Sequence, residues 1–182
     1  MWTKSSLLSP DGNQPGEERS ARMEVTPVPE VGMTRILGLL EVLDDHGGRE
    51  DIYRLARDLS YEFGDLLGVI KAAEILGLVD TPGGDVLLQP LGKQLIECDV
   101  NTKKSMLKKQ VKAHSMFSHF IEFLKQEADR KATREEVVAE AGRILPQEKP
   151  LSVFRTLVNW GRYTELFGYN RDDDAFYLDS EE

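Results

Sequence analysis

The sequence predicts a mainly α-helical protein with small β-hairpins (an α+β fold), built as tandem winged helix-turn-helix units joined by a long helix. Two observations carry this prediction. Helical stretches are followed by two short apolar runs around a turn, and this order occurs twice within the 182 residues. We expect four parts: a disordered tail at 1–30, a first winged-helix unit at 31–100, a connecting helix at 101–128 and a second winged-helix unit at 129–182.

The tail prediction rests on composition. The first 30 residues contain many Ser, Pro, Gly, Gln and Glu residues and show no hydrophobic period. Val25 to Pro29 is expected to lead into the first unit as an extended segment, because a proline disfavours helix in the residue before it. A short partner-docking motif is the alternative interpretation of the tail.

The first unit is expected to begin with a helix that Thr34 caps. Gly47 and Gly48 end that helix, since glycine accepts the left-handed conformation that terminates helices. Asp51 then precedes a short second helix, and Asp65 is expected to cap a third. The apolar residues of the first helix recur at helical spacing: Ile36, Leu37, Leu40 and Leu43.

A β-hairpin closes the first unit. Two apolar runs flank a turn that contains Pro82 and two glycines, which is a typical hairpin pattern. Pro90 then begins a further helix through Ile96, a position at which the missing N–H of proline is tolerated.

One long helix is predicted over about 102–128. Six residues form a stripe by stepping three or four positions: Leu107, Val111, His114, Phe117, Ile121 and Leu124. We interpret His114 as a core histidine rather than a metal ligand, because no Cys or carboxylate completes a metal site. The length of this stripe also suggests self-association as a homodimer.

The second unit follows the same order as the first. Thr133 and Glu136 form a capping-box pair at the start of a helix. Ser152 is expected to cap the next helix, which should run through Phe167. The second hairpin has its tip at 170–174, where three aspartates are expected to lie in a solvated turn rather than a calcium loop.

Composition restricts the function. The net charge is −9, which disfavours general attraction to nucleic acid or to an anionic membrane. Cys98 is the single cysteine, so no disulfide framework is expected. No apolar run is long enough to span a bilayer, and no secretory signal is evident. We therefore expect a cytoplasmic protein without direct membrane insertion.

Two groups of residues are candidates for partner binding. Lys104, Lys108 and Lys112 are spaced four apart and share a helix face, which is either simply solvated or a site for an acidic partner or a phosphate-bearing surface. Trp160 and Tyr163 are expected to share a face with Phe167 as core anchors. Together with Arg162 they also have the composition of an interaction hot spot.

No catalytic constellation is evident. The chain has no Gly-rich phosphate loop, nucleophile elbow or His-Glu helix motif. We expect neither an enzyme nor a bound metal or cofactor.

DNA reading is the alternative function for a winged-helix protein. From Tyr61 to Pro90, however, one lysine opposes five carboxylates, a net charge of −4. Such a surface repels phosphate. A nucleic-acid partner is therefore disfavoured, and helix packing or protein binding is the preferred interpretation.

Several strings resemble one family. The sequence Gly-Gly-Arg-Glu-Asp-Ile-Tyr-Arg-Leu-Ala at 47–56, Ala-Glu-Ile-Leu-Gly at 73–77, Leu-Gln-Pro-Leu-Gly-Lys at 88–93 and Trp-Gly-Arg-Tyr-Thr-Glu-Leu-Phe at 160–167 resemble the C-terminal AAA-associated domain. That domain is appended to ATP-binding subunits of ABC transporters of the nitrate, sulfonate and taurine import class. The resemblance covers Val31 to Leu178.

The resemblance implies a cytoplasmic accessory or regulatory module of an ABC-type importer, which could be peripheral to the inner membrane through the transporter complex. It implies an ATP-binding subunit as partner and supplies no catalytic residues. The Walker lysine loop of the ATPase does not occur in this chain. The module is therefore expected either to act on a separate ATPase or to represent a reused domain.

Overall fold

The computed structural model describes residues 24–179 as a mainly helical protein with two small antiparallel sheets. The helices are α1 (Met33–Asp45), α2 (Ile52–Asp58), α3 (Phe63–Ile75), α4 (Pro90–Glu97), α5 (Val100–Ala113), α6 (Ser115–Gln126), α7 (Arg134–Ile144) and α8 (Pro150–Thr164). The strands are β1 (Arg49–Asp51), β2 (Val79–Asp80), β3 (Asp85–Leu88), β4 (Lys131–Thr133), β5 (Phe167–Asn170) and β6 (Ala175–Leu178). The expected α+β class is confirmed.

The prediction of a disordered tail at 1–30 is wrong for residues 24–30. Residues 1–23 lie outside the described part, whereas residues 24–30 pack against the helices without regular secondary structure. Val28 is buried, and the Thr26 N–H donates to Ser115 Oγ at 2.9 Å. This lead-in segment thus has no helix, as its prolines predict, and Val28 belongs to the core whereas Thr26 and Glu30 are exposed.

Each sheet has three strands in the same order. In the first, β3 pairs with β1 and β2, so that Glu50 lies opposite Val86. In the second, β6 pairs with β4 and β5, so that Ala132 lies opposite Phe176. The sequence predicted the hairpins but not β1 and β4, because a strand of three residues is too short to show an alternating pattern.

The two halves of the chain share one element order. The first half runs α1, β1, α2, α3, β2, β3, and the second runs α6, β4, α7, α8, β5, β6. In both, a strand between the first two helices adds to the edge of the hairpin. α4 and α5 connect the halves.

The prediction of a single long helix at 102–128 is wrong. The chain breaks at His114, whose backbone is extended at φ −77 and ψ 135, and α5 and α6 lie on either side. The His114 imidazole accepts a hydrogen bond from the Met116 N–H at 3.4 Å and so caps α6. The other members of the apolar stripe are buried within this one chain, which removes the reason for expecting a homodimer.

Local capping signals gave mixed results. The Asp51 side chain accepts from two backbone N–H groups of α2, and the capping box of Thr133 with Glu136 is present at α7. The predicted capping box and the short helix predicted after Asp51 are confirmed, and the capping of α2 by Asp51 is an additional finding. Asp65 does not cap α3 but lies in its first turn and pairs with Arg35 at 3.4 Å.

Two further helix starts differ from the prediction. α8 starts at Pro150, before Ser152, because proline fixes a helical φ at the first position. It ends at Thr164 rather than Phe167, since Glu165 adopts the left-handed conformation at φ 56. α1 begins at Met33, whose N–H donates to Asn159 Oδ1 at 2.9 Å, so Thr34 is not its cap.

One continuous core joins the two halves. Trp160 of α8 is fully buried and stacks on Phe117 of α6 with ring centres 5.5 Å apart. Phe117 also stacks on Phe167 of β5 at 6.4 Å. α8 packs against α1, α5 and α7. The outer face of α8 is therefore held in a fixed position relative to both halves.

Within residues 24–179, none of the helices has the length and apolar character needed to cross a lipid bilayer.

Candidate functional site

The outer face of α8 and the adjacent hairpin form a groove of about 560 Å³. Its apolar lining is formed by Phe154 and Val158, and its polar lining by Arg155, Asn159, Arg162, Tyr163, Tyr169 and Arg171. We call this surface the arginine groove. It forms because α8 turns its apolar face, with Trp160, into the core and leaves its cationic face outside.

The three arginines of the groove differ in their partners. Arg155 Nε lies 2.6 Å from Glu30 Oε1 of the lead-in segment. Arg162 and Arg171 are exposed, and within residues 24–179 neither guanidinium has a hydrogen bond or ion pair. Each of these groups carries five N–H donors, so the groove presents two cationic forks to an incoming acceptor.

The α5 lysines lie beyond the end of the groove, next to the C-terminal end of α8. Lys104 Nζ lies 2.6 Å from Glu165 Oε1 at the end of α8. That hydrogen bond holds the pKa of Glu165 below its usual value and raises the pKa of Lys104. Because Lys104 and Glu165 compensate each other, this pair adds no net charge beside the arginines. Lys108 and Lys112 lie one and two turns further along α5, as their spacing predicts.

Tyr163 lies between these two sets of cations. It lines the groove, and it is close enough to Lys104 for the ammonium group to act on its hydroxyl. Partial burial raises the pKa of Tyr163 above its ordinary value, and the protonated phenol can donate a hydrogen bond. The structure therefore brings together four of the proposed contact residues, namely Lys104, Lys108, Arg162 and Tyr163.

Trp160 is a correction to the proposed contact set. Its side chain is fully buried, so it cannot contact a partner at the surface. Trp160 and Tyr163 are three positions apart on α8, and this spacing does not expose both side chains. Trp160 is buried, and Tyr163 is half-buried. The core-anchor interpretation of Trp160 is the one that fits.

Sequence reasoning missed Arg155, Arg171 and Tyr169 as groove residues. Tyr169 and Arg171 follow α8 in the chain, and they reach its outer face because β5 folds back along the helix. The three arginines between positions 155 and 171 could have indicated a cationic surface. The net charge of the segment did not reveal it, because the adjacent aspartates cancel these positive charges in the sum.

The aspartates at the hairpin tip are held in local contacts. Tyr169 Oη donates to Asp174 at 2.9 Å, and the Asn170 side-chain amide donates to Asp173 at 2.6 Å. The Asp172 N–H in turn donates to the Asn170 side-chain oxygen at 3.0 Å. The tip is a closed acidic turn bordering the arginine groove. Among residues 24–179, no group of three or more His, Cys, Asp or Glu side chains is arranged to hold a metal ion.

A second surface lies on the first half of the chain. Tyr53 of α2 stacks on Phe63 of α3 with ring centres 5.0 Å apart, and Leu67 lies one turn further along α3. All three are exposed, at 69%, 40% and 44% of their surface. We call them the aromatic patch. Large apolar side chains clustered in water are unfavourable for an isolated protein and are typical of interaction sites.

A larger groove of about 800 Å³ lies between the lead-in segment, α6 and the end of α7. Two basic side chains on its wall, His119 and Arg143, both contact Glu140 at 2.6 Å. The Arg143 hydrogen bonds, followed by that of His119, hold the pKa of Glu140 below its usual value. These basic groups are therefore already engaged, and the groove is less suited to an anionic ligand than the arginine groove is.

The family model of the C-terminal AAA-associated domain matches residues 53–170. This is more than half of the chain. The protein belongs to the AAA-associated domain family. The resemblance noted in the sequence is thus confirmed. No curated protein and no solved structure matches the chain.

The matched range contains most of both surfaces. It begins at Tyr53 of the aromatic patch and ends at Asn170, one residue before Arg171 of the arginine groove. α1 and β6 lie outside it. Membership in the AAA-associated domain family links this chain to ATPases of the AAA or ABC type, for which such a domain is an accessory module.

Proposed function

We propose that this AAA-associated domain is a non-enzymatic accessory module that binds the ATP-binding subunit of an ABC-type importer through protein–protein contacts and adjusts its activity. It acts in the cytoplasm, on an ATPase that carries its own nucleotide site. Its two halves are winged-helix units in which α3 and α8 take the position of the third helix.

The aromatic patch is the observation that supports this function best. In a winged-helix unit that reads DNA, the third helix presents side chains that enter the major groove. Here the outer face of α3 presents Phe63 and Leu67, with Tyr53 stacked beside them. Aromatic side chains contribute large contact areas to protein interfaces, and burial of this patch would remove it from water.

The charges around α3 favour a polypeptide over a polyanion. Glu62 occupies the N-cap position of α3 and Asp65 lies in its first turn. The nearby cations Arg57 and Lys71 are already paired, with Asp58 at 3.2 Å and Glu74 at 3.7 Å. A phosphate backbone approaching this face would meet repulsion without compensating contacts. A protein partner can bury the apolar side chains and pair the acidic rim with its own cations.

Co-purification of the tagged full chain with its cognate ATP-binding subunit tests the proposal. We expect the wild-type protein to retain the subunit and to change its ATP hydrolysis rate. Leu67→Asp should abolish retention, because a carboxylate would then lie inside the buried interface.

Val100→Asp is the matched control, since Val100 is exposed at 64% on α5 and lies outside the aromatic patch. An aspartate there occupies the first turn of a helix, where it is tolerated. Equal retention of the ATPase subunit by wild-type and Leu67→Asp protein would refute a role for the patch, and no retention by wild-type protein would refute the function.

A further inference from the structure

We propose that the arginine groove binds an acidic polypeptide segment of the partner, with an Asp or Glu carboxylate held between Arg162 and Arg171. The inference rests on the proposed function, because it names the chemistry of a partner segment that the accessory module would recognise. It adds a second contact surface on the opposite half of the chain from the aromatic patch.

Two exposed guanidinium groups bordering one groove require an explanation in a chain of net charge −9. Carboxylates are abundant here, and many cations are paired with them, including Arg49, Lys93 and Arg143. Arg162 and Arg171 have no such partner within the described residues. Two guanidinium forks bordering the same space form a receptor for a planar oxyanion, which a carboxylate matches with paired hydrogen bonds.

Arg155 already forms the kind of arginine–carboxylate pair that we propose for Arg162 and Arg171. Its guanidinium lies at the groove and binds Glu30, which comes from a segment 125 positions away in the chain. The segment around Glu30 has no regular secondary structure, and it runs across the surface near α8. One arginine that lines the groove therefore already pairs with a carboxylate from a non-helical segment.

The size of the groove favours a few side chains over an extended polymer. A volume of about 560 Å³ lies within the range of sites that hold small ligands. Phe154 and Val158 add apolar surface, and the Tyr163 hydroxyl adds a hydrogen-bond donor. A short segment that combines a carboxylate with an apolar neighbour fits this lining.

The acidic hairpin tip argues against nucleic acid as the occupant. Asp172 and Asp173 are exposed on the turn that borders the groove. A duplex that placed a phosphate on Arg171 would bring its neighbouring phosphates toward these carboxylates, and the repulsion would offset the contact. A peptide can end its acidic run before it reaches the tip.

Fluorescence anisotropy of a labelled short peptide that carries one glutamate beside a leucine, titrated with the full chain at low salt, measures the binding. We expect the Arg162→Ala/Arg171→Ala double variant to weaken it by at least about tenfold, which corresponds to about 1.4 kcal/mol. Lysine at both positions should recover part of the affinity, because it keeps the charge but not the paired donors.

Arg57→Ala is the matched control. Arg57 is also an exposed arginine, on α2, where it contacts Asp58 at 3.2 Å. Its removal takes away one positive charge, half of what the double variant loses, and should leave peptide binding at the wild-type level. Equal affinity of the wild-type protein and the double variant, or tighter binding of a duplex DNA than of the peptide, would overturn the inference. Unchanged thermal unfolding of the double variant would establish that a loss of binding is local.

The same variants separate this inference from the proposed function. If the double variant retains the ATP-binding subunit as wild-type protein does, the groove is not a partner site, although the accessory function stands. If the peptide binds in an arginine-dependent way but no ATP-binding subunit is retained by wild-type protein, the groove recognises acidic segments and the proposed partner is wrong.

Discussion

The indole Nε1 of Trp160 donates a buried hydrogen bond of 2.7 Å to the carbonyl oxygen of Val31, 129 positions earlier in the chain. Val31 immediately precedes α1, and Trp160 lies in the middle of α8. The same indole stacks on Phe117 of α6. A single side chain thus fixes the start of the first half against two helices of the second, and it explains why the outer face of α8 can be rigid.

Replacing Trp160 with phenylalanine should destabilise the fold. The variant leaves the Val31 carbonyl buried without its donor and leaves space beside Phe117. We expect the free energy of unfolding to fall by about 2–4 kcal/mol, measured by urea titration. Tyr53→Phe is the control, because Tyr53 is exposed at 69% and the change should stay within about 0.5 kcal/mol. Similar losses in both variants would contradict the anchoring role of Trp160.

Asn159 should contribute more to α1 than Thr34 does. Its side-chain oxygen accepts from the Met33 N–H at 2.9 Å, whereas Thr34 makes no capping hydrogen bond. Removing a helix cap costs about 1 kcal/mol, so Asn159→Ala should lower the free energy of unfolding by about that amount. Thr34→Ala should change it by no more than about 0.5 kcal/mol. The reverse order in chemical denaturation would restore Thr34 as the cap.

This pair of residues illustrates which parts of the fold the sequence could predict. Asp51 and the Thr133–Glu136 box act on backbone groups two or three positions away. The box was predicted correctly, and so was the helix that follows Asp51. The cap of α1 comes from Asn159, 126 positions away, and no local pattern contains that information. The break at His114 was missed for a related reason: the apolar stripe continues on both sides, so its period alone does not reveal the extended residue.

The candidate site was predictable to a similar extent. Helical spacing correctly placed Lys104, Lys108 and Lys112 on one face of α5. It could not decide whether Trp160 faces the core, because burial depends on the partner helices. Arg171 lines the groove because the chain turns back along α8 after that helix ends. This path of β5 is visible only in the three-dimensional structure.

Gly161 should tolerate no side chain. A Cβ at this position would lie 2.7 Å from Phe167 Cβ, where α8 packs closely against β5. We expect Gly161→Ala to lower the free energy of unfolding by about 1–3 kcal/mol, because the strand must shift. Gly38→Ala on α1 is the opposite case, since nothing lies within 4 Å of its Cβ. Alanine there should stabilise the protein by about 0.5–1 kcal/mol. A stabilising Gly161→Ala in thermal or urea unfolding would contradict the close packing.

His114 should make stability depend on pH in the acidic range. Burial lowers its pKa below the ordinary value of 6.5, so the unfolded chain takes up a proton at a higher pH than the folded chain. The stability contributed by neutral His114 is complete above pH 6.5. It is lost as the pH falls from there through the lowered pKa of the folded state, because the unfolded state then binds more protons.

His114→Asn separates titration from capping. Asparagine is a favourable N-cap and can accept the Met116 N–H, but it does not titrate. We expect this variant to match wild-type stability above pH 7 and to lose less stability between about pH 6.5 and 5, measured by urea unfolding across that range. His114→Ala removes both roles and should be less stable than the asparagine variant at every pH, by about 0.5–1 kcal/mol. Equal acid sensitivity of wild-type and His114→Asn protein would assign the pH dependence to other groups, because His114 would then have the same pKa in the folded and unfolded states.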